Sequence, residues 1–98
     1  MKMVMLSYNE AVNIEVMEIV NGCGLQNYSK ITRTYGKGTA SKTHMGTDVW
    51  PGLNYILYVA CDDTQAGQIV IGINNLRKTL SKEGVKAFVM PLEQVTQS

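Results

Sequence analysis

The sequence predicts an α+β fold with the element order strand, helix, strand, strand, helix, strand. Three observations carry it: two stretches whose apolar residues recur at helical spacing, a nearly continuous apolar run from Leu53 to Cys61, and β-rich segments that open and close the chain. In that order two helices cover one face of a four-stranded antiparallel sheet, the ferredoxin-like βαββαβ arrangement.

Each element has a local reason. Met3-Val4-Met5-Leu6 reads as a short buried strand, and Ser7 to Asn9 offers capping side chains to a helix starting near Glu10. In that helix Val12, Val16, Ile19 and Val20 share a face, while Asn13, Glu15 and Glu18 lie away from it. Gly22 and Gly24 end it. Tyr28 to Tyr35 contains Ile31, Thr32 and Thr34 and reads as a half-exposed strand. The stretch from Gly36 to Gly52 is rich in Gly, Ser and Thr and lacks periodicity, so it reads as a long loop of the kind that usually carries function. Leu53 to Cys61 is the most apolar strand and therefore central. Asp62, Asp63 and Thr64 supply the next cap, and Ala66, Ile69, Val70, Ile73, Leu76 and Leu80 trace the second helix up to Gly84. The closing strand is Val85-Lys86-Ala87-Phe88-Val89-Met90, with Pro91 behind it.

Ninety-eight residues with 45% apolar content suit a single domain, 1–98, near the lower end of what buries a self-sufficient core. Six Met and five Tyr leave apolar surface to spare, and the open face of such a sheet needs a cover, so association of like chains is expected. A net charge of +1 is too small to drive binding to nucleic acid by counterion release. Cys23 and Cys61 make neither a disulfide framework nor a Cys-x-x-Cys pair, which fits a reducing compartment. The opening residues Met1 to Leu6 are too short an apolar stretch for a signal core or a membrane span, so the expected location is cytoplasmic, without membrane insertion.

The arrangement hosts many functions, so residues must choose among them. An RNA-recognition module requires a basic-Gly-aromatic signature on its third strand, and Asn54-Tyr55-Ile56-Leu57-Tyr58-Val59 lacks the Gly and the basic residue. A heavy-metal chaperone requires Cys-x-x-Cys where this chain has Ser7-Tyr8-Asn9-Glu10. An acylphosphatase requires an anion-cradling loop and an Arg after the first strand, both absent here. No nucleophile, base and orienting group occur together, which argues against an enzyme.

The residues that do carry a resemblance lie mainly in the second half. Lys86 to Val95 follows Lys-Ile-Phe-Val-Tyr-Pro-Val-Glu-Glu-Val, and Tyr58-Val59-Ala60-Cys61-Asp62-Asp63 follows a strand ending Val-Val-Ser-Asp-Asp. Both patterns belong to the PII signal-transduction proteins, which this chain resembles as a divergent member. Arg77 to Val85 aligns with that family's phosphate-contacting loop, Ala-Arg-Thr-Gly-Lys-Ile-Gly-Asp-Gly: Thr79 matches, Lys78 replaces Arg, and Leu80, Glu83 and Val85 replace Gly. Bulky residues resist the backbone geometry that aims successive N–H groups at phosphate oxygens, so this cradle is remodelled. Thr34-Tyr35-Gly36-Lys37-Gly38 resembles the base of the family's partner-docking loop, Gly-Phe-Gly-Arg-Gln. The loop from Lys37 to Leu53 has no Tyr, which rules out the family's uridylylation there.

The resemblance implies a homotrimeric regulator that binds a small effector in clefts between subunits. The effector would be an adenine nucleotide (AMP, ADP or ATP), bicarbonate or a divalent metal. The implied ligand residues are Gly36, Lys37, Gly38, Lys78, Thr79 and Lys86, with Lys82 nearby in sequence. The loop 37–53, with His44, Asp48 and Trp50, would engage a target protein such as a membrane transporter. Each residue has a plainer reading: Lys86 as an edge-strand charge that discourages aggregation, Thr79 as a helix-end residue, and Trp50 as a plug at the sheet edge or subunit interface. His44 is the chain's single His and offers itself as a metal ligand or as a solvated loop residue. Met3, Met5 and Met17 read as core filler, and both Cys as small hydrophobes. The alternative function is that of the CutA family, trimeric proteins of this architecture that bind divalent metals and confer metal tolerance.

Overall fold

A computed structural model describes residues 1–34, 54–80 and 84–96. Within them the chain forms strand β1 (Lys2–Asn9), a short 3-10 helix (Glu10–Val12), helix α1 (Asn13–Gly22), strands β2 (Ser29–Thr34) and β3 (Asn54–Cys61), helix α2 (Asp63–Thr79) and strand β4 (Val85–Pro91). The sheet order is β2-β3-β1-β4, with every neighbouring pair antiparallel. This is the expected ferredoxin-like arrangement, with β1 and β3 central.

Alternation along the strands divides the sheet into two faces. Val4, Leu6 and Tyr8 of β1, Leu57, Val59 and Cys61 of β3, and Val85 of β4 point toward the helices and are buried. Val12, Val16 and Val20 meet them from the first helical segment, and Ala66, Ile69 and Ile73 from α2. These two stripes sit at the i, i+3, i+4 spacing that gives a helix one apolar side. Side chains on the other sheet face form rows across the strands: Phe88, Met5, Tyr58 and Ser29 in one row, and Lys86, Ser7, Ile56 and Ile31 in the next. No helix among the described residues covers that face, and Ile31, Phe88 and Met90 stay 48%, 41% and 37% exposed on it. Met3 and Met5 lie on this open face and not in the core, which corrects the expectation that they fill it. β1 alternates strictly from Lys2 to Asn9, and Val4 and Leu6 take the inward positions.

The termini of the elements follow side-chain chemistry. β1 runs three residues beyond the expected Leu6, so Ser7 and Tyr8 pair with β3 and β4, and capping falls to Asn9 alone. The Ala11 N–H donates to Asn9 Oδ1 at 2.8 Å and opens a 3-10 turn, which delays α1 to Asn13. Gly24 adopts φ 81°, the left-handed conformation that stops α1 after Cys23. At α2 the Asp62 carboxylate accepts from the Gln65 N–H at 2.7 Å, and the Gln65 Oε1 accepts from the Asp62 N–H at 3.1 Å. This reciprocal capping box satisfies two otherwise orphaned donors. Gln65 Nε2 also donates to the Cys23 carbonyl at 3.2 Å, tying the end of α1 to the start of α2.

Candidate functional site

The sequence-derived ligand residues that fall within the described structure gather at the passage from α2 to β4. Lys78 and Thr79 occupy the last turn of α2, and Leu80 caps it with its N–H donating to the Leu76 carbonyl at 3.2 Å. Residues 77–79, aligned in sequence with a loop, are therefore helical. Leu80, standing where the family's pattern has Gly, has φ −112° and ψ 172°, an extended conformation that needs no Gly. The Thr79 hydroxyl donates to the Leu76 carbonyl at 3.0 Å, an ordinary use of a helix-end hydroxyl that leaves its lone pairs open. Both Lys78 and Thr79 are exposed.

Lys86 opens β4, an edge strand, opposite Ser7. Because Val85 is turned into the core, alternation places Lys86 on the open face, where its Nζ sits 6.0 Å from the centre of the Phe88 ring. The structure thus sets Lys78 in the helix layer and Lys86 on the uncovered side of the sheet, with the start of β4 between them. Gly36, Lys37, Gly38, His44, Asp48, Trp50 and Lys82 lie outside the described residues.

Sequence reasoning missed Arg77. It is half-buried, and its guanidinium donates to the Val85 carbonyl at 2.6 Å, fastening the last turn of α2 to the first residue of β4. The signal was available: Arg77 follows the apolar Leu76 and Ile73 at a spacing that keeps it on the sheet side of the helix, where a charged group must find an acceptor.

A second cluster was also missed. Asn13, expected to point away from the core, lies at its margin and its Oδ1 accepts from the Tyr8 hydroxyl at 2.8 Å and from Lys30 Nζ at 2.9 Å. The Lys30 ammonium lies 5.4 Å from the Tyr55 ring centre and 5.8 Å from that of Tyr28, and Tyr8 meets Tyr55 edge to face at 5.7 Å. Burial foremost, with Tyr55 and Tyr28 adding to it, pushes the Tyr8 phenol up to about 12, so it remains a donor at neutral pH. The arrangement joins β1, β2, β3 and α1 on the helix side of the sheet and has the character of a structural joint.

The remaining candidates divide simply. Cys23 is half-buried and Cys61 buried, and burial pushes both thiols up, which keeps them protonated and poor as nucleophiles or metal ligands. Among the described residues no three His, Cys, Asp or Glu side chains gather to hold a metal. A shallow groove of about 380 Å³ between α1 and α2 is lined by Glu15, Glu18, Ile19, Gly72, Asn75 and Leu76, and no sequence-derived site residue borders it. No helix among the described residues is long and apolar enough to cross a membrane.

Comparison with known proteins bears on the fold. No family model matches the chain, and no curated protein matches it. Solved structures do. CPII, a nitrogen regulatory PII-like protein from Thiomonas intermedia K12 bound to ADP, AMP and bicarbonate, superposes with a TM-score of 0.73 at 15% identity, over 99% of this chain and 93% of that one. CPII from the same organism bound to ADP and bicarbonate gives 0.69 at 16% identity, over 90% and 81%. A chain from Thermus thermophilus described as a PII-like signalling protein gives 0.58 at 20% identity, over 90% and 81%. The fold of this chain is that of PII-like proteins.

Proposed function

We propose that this chain is a divergent PII-like regulator that binds an adenine nucleotide or a small anion such as bicarbonate. The observation that supports this most is the superposition on CPII over nearly the full length of both chains, since CPII was captured with ADP, AMP and bicarbonate. The second support is chemical. Lys78 on the last turn of α2 and Lys86 at the start of β4 put two exposed cations on either side of one junction, and phosphate and carboxylate oxygens are what such ammonium groups bind.

In this reading three copies associate through the open sheet face, whose apolar rows of Phe88, Met5, Tyr58, Ile56 and Ile31 need a partner to leave water. Association would bring the α2–β4 junction of one copy to the border of the next and complete a cleft that a single copy leaves open. The segment 37–53 would change arrangement with the ligand and engage or release a target, such as a membrane transporter. That switch requires the ligand to favour one arrangement by its own contacts. The role is regulation and not catalysis.

Thermal unfolding in the presence of ADP, AMP, ATP and bicarbonate tests the reading, because a ligand that binds only the native state raises the midpoint by mass action. A concentration-dependent rise with ADP or AMP supports it. Unchanged midpoints at millimolar concentrations of all four would refute it.

A further inference from the structure

We propose that Arg77 is a positioning residue of the ligand cleft, setting Lys86 in place without touching the ligand; this rests on the nucleotide reading above. Besides the ladder pairing of Tyr8 with Val85 and of Ser7 with Lys86, two bonds hold the first residues of the returning strand: the Asn9 N–H donates to the Gly84 carbonyl at 3.1 Å from the end of β1, and the Arg77 guanidinium donates to the Val85 carbonyl at 2.6 Å from the last turn of α2. Val85 is 1% exposed, so its side chain is locked in the core while its carbonyl is locked by Arg77. With both ends of that residue fixed, strand alternation leaves Lys86 one direction in which to leave the backbone.

The bond is of the strong kind. A charge-assisted N–H···O contact from a guanidinium inside a half-buried site outweighs a neutral one. Among the described strands β4 lies at an edge and pairs with β1 alone, so its first residues gain from a further anchor. Arg77 also neighbours Lys78 on the same helical turn, so one residue ties the two cation-bearing segments to each other. Fixing a ligand-binding cation before the ligand arrives lowers the entropy lost on binding, which is where a positioning residue acts.

Calorimetric titration with ADP of the wild type, R77A, R77K, K86A and the double variant R77A/K86A tests this. R77A should weaken ADP binding about tenfold and R77K by less, because lysine keeps one charged donor for the Val85 carbonyl. In the K86A background, R77A should cost little further, since there is no longer an ammonium to position. An R77A variant that binds ADP like the wild type overturns the proposal, as does a double variant whose losses simply multiply. Should R77A fail to fold, R77Q carries the test, since it removes the charged donor while keeping a side chain on the helix, and wild-type affinity in R77Q overturns the role. A wild type that binds no ADP overturns the nucleotide reading itself, and this role with it.

Discussion

Ile19 lies directly across Gly72, so close that a methyl group added at Gly72 would come within 2.8 Å of Ile19 Cγ2. The two helices meet there because α2 presents no side chain at that position. Ile19 is β-branched and stiff about its first torsion, so it cannot swing away as a longer flexible chain would. Gly67, one and a half turns earlier on the same helix, has nothing within 4 Å of the same added atom. The two glycines should therefore respond to alanine with opposite signs. Gly67→Ala removes backbone freedom from the unfolded chain at an exposed helical site and should stabilise by about 0.5–1 kcal/mol. Gly72→Ala has the same propensity gain but adds an overlap typically costing about 1–3 kcal/mol, so the net change should be a loss of about 1 kcal/mol. Urea denaturation of the two variants against the wild type reads the difference, and a stabilised Gly72→Ala would show that the helices part freely.

Most of the scaffold was legible because local rules coincide with the global fold. Val12, Val16 and Val20, and Ala66, Ile69 and Ile73, fall where helical spacing put them, and Asp62 caps α2 as its place before an apolar stripe implied. The residues that escaped were those whose role depends on a partner far away in sequence. Asn13 reads as part of a polar face because nothing local signals that Tyr8 and Lys30 converge on its side chain. Met3 and Met5 read as core residues from sequence because four apolar residues in a row hide the two-residue alternation that turns them outward. For the ligand residues the sequence offered order along the chain, and only the strand direction reveals that Lys86 leaves the sheet on the side away from α2.

The Tyr8 phenol makes the stability of this fold sensitive to alkali. Its pKa is raised from 10 to about 12, so folded and unfolded states are both protonated below pH 10 and the stability of the joint is then fully present. As pH rises from about 10 toward 12 the unfolded chain releases the proton first, and the native state loses roughly 2–3 kcal/mol of its advantage over that window. Tyr8→Phe should lower stability at neutral pH by about 1 kcal/mol, since the hydrogen bond to Asn13 goes while Lys30 still satisfies that oxygen. It should also flatten the fall above pH 10. Denaturation midpoints of the two proteins from pH 8 to 11.5 check both statements, and parallel curves would exclude Tyr8 as the source.

The open face predicts association that a single charge disrupts. Phe88 stands in the row with Met5 and Tyr58, 41% exposed, on the face that no helix among the described residues covers. Phe88→Glu would bury a carboxylate against apolar neighbours if copies packed there, a cost of several kcal/mol that should break the association. Sedimentation should show the wild type at the mass of three chains and the variant at that of one, with unchanged circular dichroism because Phe88 takes no part in the core. A wild type that sediments as a single chain at high micromolar concentration would remove the assembly from the proposed function.

Lys86, Lys78 and Thr79 should separate in their effects on ADP affinity. Lys86 stands at the start of a strand, backed by the anchored Val85, so its side chain leaves the backbone toward the open face and its loss removes a charge from that side. Lys78 is exposed on the last turn of a helix and samples more directions, so its contribution is largely through field. Thr79 already donates its proton to the Leu76 carbonyl and has no second proton to give a phosphate. Lys86→Ala should therefore weaken ADP binding by at least about tenfold. Lys78→Ala should weaken it about two- to threefold in an effect that raising salt to about 0.5 M abolishes, because exposed charges are screened within a few ångströms. Thr79→Val should change affinity by less than about twofold, since the helix-end bond it breaks lies outside the contact with ligand. Titrations at low and high salt read all three, and a Thr79→Val loss exceeding that of Lys86→Ala would relocate the phosphate to the end of α2 and away from β4.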